Sequence, residues 1–254
     1  MQWRRIVGVG LLGATLAVGG WCGGFFTAQR LADRGIERHV DRTLIWTMRE
    51  LEREFKFTFT GMPTVEYSTV LPGGKLGIYD PATDTIYLAT AGGVTPGDSV
   101  ANLLQKMFYI GKEVDVQQTL VHELGHVSLK QLREQQHISP IVTGRTPQEM
   151  IAKRLVDEGM AEHFRKRMYH EPNLFTDRDW PQSPEDWQQT YSHPEQIYFV
   201  RTFYEGGECL VRQILRTHGR RGMEYLIKNP PTNELLDLPG YRRRSLEALS
   251  RDKF

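Results

Sequence analysis

The chain has 254 residues, of which 39% are hydrophobic and 25% charged, with a formal net charge of +1. That length and apolar content suffice for one substantial core and argue against a disordered chain. The near-neutral charge argues against a general nucleic-acid binder, and two cysteines cannot build a disulfide framework.

The N-terminus differs in kind from the rest. Arg4-Arg5 precedes a charge-free run from Ile6 to Gln29. A basic flank before a long uncharged stretch is the pattern of a secretory signal or of an uncleaved membrane anchor. Ala17-Val18-Gly19 offers a small-residue cleavage site. The expected organisation is therefore a signal peptide or anchor over 1–28, an amphipathic helix and the start of a sheet over 29–58, and a folded domain over 59–254. The domain is expected to be exported. It would face the extracytoplasmic side from the membrane, or be secreted or periplasmic if the segment is removed. Cys22 falls inside the N-terminal segment, which leaves Cys209 as a small apolar residue on a helix.

Val40, Leu44, Met48, Leu51 and Phe55 recur at three- and four-residue steps, which predicts an amphipathic helix. The period then changes to two. Phe55, Phe57 and Phe59 alternate with Lys56, Thr58 and Thr60, and Val65-Glu66-Tyr67 follows a Gly-Met-Pro turn. Leu76–Tyr79 and Thr85–Ala89 flank Asp80-Pro81-Ala82-Thr83-Asp84 and read as a hairpin. A loop is expected over 91–98 and a short helix over 99–111. Asp115 with Gln118 reads as a capping box that opens a helix to about Gln136, with Leu120, Leu124 and Val127 as its apolar stripe. After a loop over 138–147, Thr146-Pro147-Gln148-Glu149 opens a second helix to about His170. A third begins near Ser192-His193-Pro194-Glu195 and ends at His218-Gly219. Basic clusters at 165–167, 220–221 and 242–244 lie in or beside helical patterns and read as solvated faces, not as a nucleic-acid surface.

Two segments carry chemistry. His122-Glu123-Leu124-Gly125-His126 matches H-E-x-x-H mid-helix. The spacing places both imidazoles on one face, able to share one Zn²⁺, with a carboxylate beside them. In the second helix Ile151, Leu155, Glu158 and Glu162 form one stripe, which sets two carboxylates on the line of the buried face. A buried carboxylate is costly unless it binds a metal or is hydrogen-bonded.

Taken together, the pentapeptide and Glu158-Gly159-Met160-Ala161-Glu162 resemble the gluzincin class of zinc metallopeptidases, in particular the peptidase-MA-like group with an E-G-x-A-E second motif. The resemblance implies a zincin-like α+β fold, with a small sheet over an active-site helix and a mainly helical second half. It implies His122, His126 and Glu158 as zinc ligands and Glu123 as general base toward a zinc-activated water. Glu162 would hydrogen-bond a ligand histidine and fix its tautomer. The hairpin around Ile86-Tyr87-Leu88 would supply the edge strand beside which a peptide or protein substrate lies.

Leu129 and Leu132 stand where a metzincin needs Gly and His, and Ala91-Gly92-Gly93-Val94-Thr95 is not the amine-holding segment of an aminopeptidase. His137 reads as a surface loop residue. Gly125 and Gly159, each costing about 1 kcal/mol in a helix relative to Ala, point to close approach of the two motif helices. Tyr191, His193, Tyr198 and Tyr204 are candidates for the donor that stabilises an oxyanion. Tyr204 is preferred because Tyr204-Glu205-Gly206-Gly207-Glu208 resembles the Y-x-x-G segment that follows the zinc motifs in this group. The expected activity is zinc-dependent peptide hydrolysis, most simply by an endopeptidase. The alternative is a zinc-stabilised binding or assembly module at the membrane surface, which would have no need of Glu123.

Overall fold

A computed structural model describes residues 34, 37–68, 71, 75–89, 112–138, 146–194 and 197–251. The expected N-terminal anchor, the loop over 91–98, the helix over 99–111 and most of the loop over 138–147 lie outside the described residues. Among those described, no helix is long and apolar enough to cross a membrane.

The first helix, α1, covers 37–55 and buries the stripe read from the sequence: Val40, Leu44, Met48, Leu51 and Phe55. It ends at Lys56, which takes a left-handed φ of 54°. The expected strand at Phe55–Thr60 does not form, and the first strand, β1, is Thr64–Ser68. The alternating aromatics serve packing instead. The Phe57 and Phe59 rings meet edge-on at 4.8 Å, and Phe57 stacks toward Phe164 at 6.1 Å. Phe55 meets Phe164 at 4.1 Å. A period of two over three residues is too short to distinguish a strand from a chain laid across a helix.

Strands β2 (Gly77–Asp80) and β3 (Thr85–Ala89) form the expected hairpin, with Ile78 opposite Tyr87. Asp80 closes the turn by accepting from the Ala82 N–H at 2.9 Å and the Thr83 hydroxyl at 3.0 Å. β1 pairs in parallel with the far side of β3, so the sheet order is β1-β3-β2. The Ile86-Tyr87-Leu88 strand is therefore central, not an edge. The hairpin does supply an edge strand among the described residues, but it is its other arm, β2.

Helices fill the rest: α2 (Lys112–Gln135), α3 (Pro147–Tyr169), α4 (Pro184–Ser192), the single turn α5 (Ile197–Phe199), a π-helical stretch π1 (Val200–Gly206), α6 (Gly207–Lys228) and α7 (Leu238–Arg251). The architecture is α+β, dominated by helix. α2 as described starts at Lys112, so Asp115 stands inside the helix and not at its expected start. α3 starts as the sequence reads: Thr146 Oγ1 accepts from the Glu149 N–H at 3.1 Å and Pro147 opens the helix. α6 runs past the expected stop at Gly219. That residue takes a φ of 52°, open to glycine, and kinks the helix without ending it.

The core lies between the sheet and the crossed helices. Ile86 and Leu88 of β3, Leu120, Leu124 and Val127 of α2, Leu155, Met160 and Phe164 of α3, and Val211 and Ile214 of α6 are all fully buried. Burying one such side chain is worth about 1.5–3 kcal/mol, so the α2 stripe outweighs the helix cost of Gly125 several times over. α1 is pinned to α2 by a polar relay in which the Thr43 hydroxyl donates to Gln117 and Gln117 donates to Thr47, each at 2.8 Å.

Candidate metal centre

α2 and α3 cross at unusually close range, and two small residues permit it. A side-chain carbon added at Gly125 would lie 2.7 Å from the Ala161 Cα. The approach expected of Gly125 thus brings the motif helices together through the alanine of the second motif. Gly159 does something else. Its missing side chain faces Gly207, where an added carbon would sit 2.3 Å from the backbone, so it admits α6 and not α2. Two polar clamps secure the α2–α3 seam. Arg133 of α2 grips both oxygens of Asp157 on α3, and Arg165 of α3 donates to Gln118 of α2 at 2.9 Å.

At that crossing the histidines and Glu158 converge. Their side chains lie in the interior: Glu158 is 1% exposed, His122 6%. Nε2 of His122 is 3.2 Å from Nε2 of His126. Glu158 Oε2 lies 3.2 Å from the first and 3.4 Å from the second. A tetrahedral ion with ligand distances of about 2.0–2.1 Å requires donors separated by about 3.3 Å. The three donor atoms therefore match one face of such a tetrahedron. Among the described residues, this is the group of His, Cys, Asp and Glu side chains able to hold a metal ion.

The electrostatics at the same point suit a cation. Burial opposes charge on His122, but hydrogen bonds to Glu158 and Glu162 and the charges of Glu158 and Glu123 raise its pKa to about 10. Burial likewise opposes ionisation of Glu158. The Arg154 guanidinium, with His126 and His122, holds its carboxyl well below the usual range all the same. The pocket stabilises positive charge at His122 and a carboxylate at Glu158, and a metal ion between the three donors would suit both.

Other expected residues gather around this face. Glu162 Oε2 is 3.5 Å from Nδ1 of His122, the nitrogen turned away from the donor triangle. Arg165 grips Glu162 through Nε at 2.9 Å and through its second nitrogen at 2.8 Å. Burial works against that carboxylate's charge, but Arg165 and His122 lower its pKa to about 2. Glu123 is 7% exposed and lies under the edge strand: a carbon added at Gly77 would be 2.9 Å from its Oε1 and 2.5 Å from Thr119. Only glycine lets β2 come down onto that carboxylate.

Tyr204 stacks on His122 with ring centroids 5.0 Å apart and 29° between planes. The charge of Glu158, together with burial, pushes its hydroxyl well above its ordinary pKa, so it remains a neutral donor. It sits in π1, and π-helical turns are frequent at functional sites. The remaining candidates stand elsewhere. Tyr191 packs toward Phe203 at 6.0 Å, Tyr198 is 67% exposed, and the exposed His193 bonds back to the Gln189 carbonyl. His137 is exposed, while Leu129 and Leu132 are core residues.

Arg154 is missing from the reading of the sequence, and the 165–167 cluster is not the solvated face expected: Lys166 is buried and Arg165 turns inward onto Glu162. Each arginine stands three or four residues from a motif glutamate on the same helix, and that spacing was the available signal. Comparison of the chain with protein-family models, with curated proteins and with solved structures found no match in any of the three.

Proposed function

We propose that this chain is a zinc-dependent peptidase of zincin-like fold, in the gluzincin manner. The observation that carries the reading is the donor triangle of His122, His126 and Glu158, with edges matched to tetrahedral zinc and Glu123 buried on the adjacent residue of α2. Two imidazoles and one carboxylate are a donor set of catalytic zinc sites, which keep a position open, whereas structural sites are closed by four protein ligands. Zinc held there supplies Lewis acidity toward water and toward a carbonyl oxygen.

The side chains have distinct tasks. Glu123 Oε1 accepts a proton from the attacking water and delivers it to the leaving amine nitrogen. The neutral Tyr204 hydroxyl donates to the carbonyl oxygen as negative charge develops on it. Glu162 accepts a hydrogen bond from Nδ1–H of His122, which fixes the tautomer that leaves Nε2 free to bind a metal, and Arg165 fixes Glu162. An extended peptide adds to the sheet along β2, whose Gly77 backbone lies against Glu123 and so sets a substrate amide beside the base.

The basic flank and uncharged run at the N-terminus support export, with the domain tethered at the membrane or released from it. Fractionation of cells expressing the full chain tests that placement.

The test of function compares wild type with Glu123→Gln in proteome-wide cleavage profiling, with zinc measured on both. Wild type holds one zinc and cleaves; Glu123→Gln holds one zinc and loses about 10²- to 10⁴-fold in rate. Wild type without stoichiometric zinc refutes the reading.

A further inference from the structure

We infer that Arg154 is a positioning residue of the metal centre: it holds Oε1 of Glu158, so that Oε2 is the oxygen offered beside His122 and His126. The inference rests on the reading of those three residues as metal ligands.

The two oxygens of Glu158 have different surroundings. Oε2 is one corner of the donor triangle, 3.2 and 3.4 Å from the histidine nitrogens. Oε1 faces the guanidinium of Arg154, one helical turn earlier on α3. The contact is an ion pair, and among the described residues no hydrogen bond reaches Oε1. The terminal torsion of a glutamate is broad and nearly two-fold, so an unrestrained carboxylate does not distinguish its oxygens. For a carboxylate this buried, a charged neighbour on one side does so.

Glu162, one turn further on, shows the contrast. Arg165 takes both of its oxygens in a fork, and neither belongs to the donor triangle. Arg154 takes one oxygen of Glu158 and leaves the other. Two glutamates at matching positions on one helix face are thus sorted into a ligand and a histidine partner by how their arginines hold them. The Arg154 side chain is 40% exposed, yet its Nε is buried without a hydrogen-bond partner, so part of the guanidinium lies inside with the site. An ordinary i,i+4 surface pair would have both partners in water; here the acid is buried and its second oxygen is committed elsewhere.

The test uses the full-length chain, stripped of metal, as wild type, Arg154→Met and Arg154→Lys. Zinc affinity is measured by chelator competition, and the visible spectrum is recorded with cobalt in place of zinc. Melting of the metal-free proteins checks folding, and Arg154→Gln is the second neutral variant if Arg154→Met does not fold.

Arg154→Met is expected to lose about 10- to 100-fold in zinc affinity. Its cobalt absorption is expected to weaken, as both Glu158 oxygens become free to turn inward and coordination rises. Arg154→Lys, which keeps the charge, is expected to restore most of the affinity and spectrum. A folded neutral variant with wild-type affinity and an unchanged cobalt spectrum overturns the role. A wild type that binds neither zinc nor cobalt overturns it together with the metal centre. The spectra decide the role of Arg154 whether or not the loaded protein cleaves peptides, so the peptidase reading fails or stands separately.

Discussion

Two buried polar clusters flank α3 back to back, carried on consecutive residues. Glu162 faces His122 and the donor triangle, whereas His163 faces α6, where its Nδ1 meets Glu208 Oε1 at 3.0 Å. Each cluster has a histidine, a glutamate and an arginine clamp. They differ in how their lone pairs are used. Both oxygens of Glu208 are taken: Arg212 donates at 2.9 and 3.0 Å, Asn173 at 2.6 Å, and His163 supplies the rest. Around Glu158, two imidazole nitrogens and a carboxylate oxygen from three residues instead point at one another. A saturated network holds helices together, while converging donors of similar composition can take a cation. Residue type does not separate the two; convergence of three metal-ligating atoms on one point does.

Removing a ligand should separate them most sharply. His126→Ala is expected to abolish stoichiometric zinc uptake and with it the stabilisation that zinc confers, about 4 kcal/mol at a free zinc concentration 1,000-fold above Kd. Its metal-free melting should remain near that of wild type. Calorimetry with and without zinc checks both halves. Breaking the other cluster should do the reverse. Glu208→Ala is expected to cost about 3–5 kcal/mol in denaturant unfolding, with zinc stoichiometry unchanged. Loss of zinc in that variant would show the clusters to be one unit.

Acid should affect the saturated cluster through Glu208. Burial opposes its charge, but His163, Arg212 and Asn173 lower its pKa from 4.5 to about 2. Above pH 4.5 the carboxylate is ionised in folded and unfolded chains alike, and its contribution is complete. As pH falls from 4.5 towards 2, the unfolded chain binds a proton that the folded chain does not, so stability falls. The contribution is on the order of 3 kcal/mol and is gone below pH 2. Subtracting the stability–pH curve of Glu208→Gln from that of wild type should reveal this slope, and parallel curves would refute it.

The smallest effects expected come from the two helical glycines. Gly159→Ala forces a carbon against the Gly207 backbone and should cost about 1–3 kcal/mol, loosening α6 and the Glu208 cluster. Gly125→Ala meets Ala161 and should cost a similar amount while weakening zinc binding. Equal effects of both substitutions on zinc affinity would blur the division.

What the sequence made legible follows from the range of the forces involved. Thr146-Pro147 starts α3 because a cap is local, and Asp80 to Asp84 turns the hairpin for the same reason. The stripes of α1 and α2 were readable because burial follows a fixed period. The parallel pairing of β1 with β3 was not, since no local pattern states which side of a strand a distant segment will join. Phe57 and Phe59 misled because packing on Phe164 can mimic strand alternation over a few residues. At the site, His122, Glu123, His126, Glu158 and Glu162 were legible as spaced motifs. Gly159 was assigned the wrong neighbour because Gly207 lies 48 positions further along the chain.

The π-helical stretch Val200–Gly206 has a consequence for chain length. Such a turn takes in one residue more than α-helical winding, and the Gly207 N–H still reaches back five residues to the Thr202 carbonyl. Deleting one residue there would restore α-helical winding and rotate the part before it by about 100°. Gly207 would stay seated on Gly159, while Tyr204 would swing off the face of His122. Exposed Val200 and Arg201 can change identity at little cost, but the segment cannot lose a residue. The aromatic cover of the histidine is fixed by a count of residues, which a substitution scan would not detect and a single-codon deletion would.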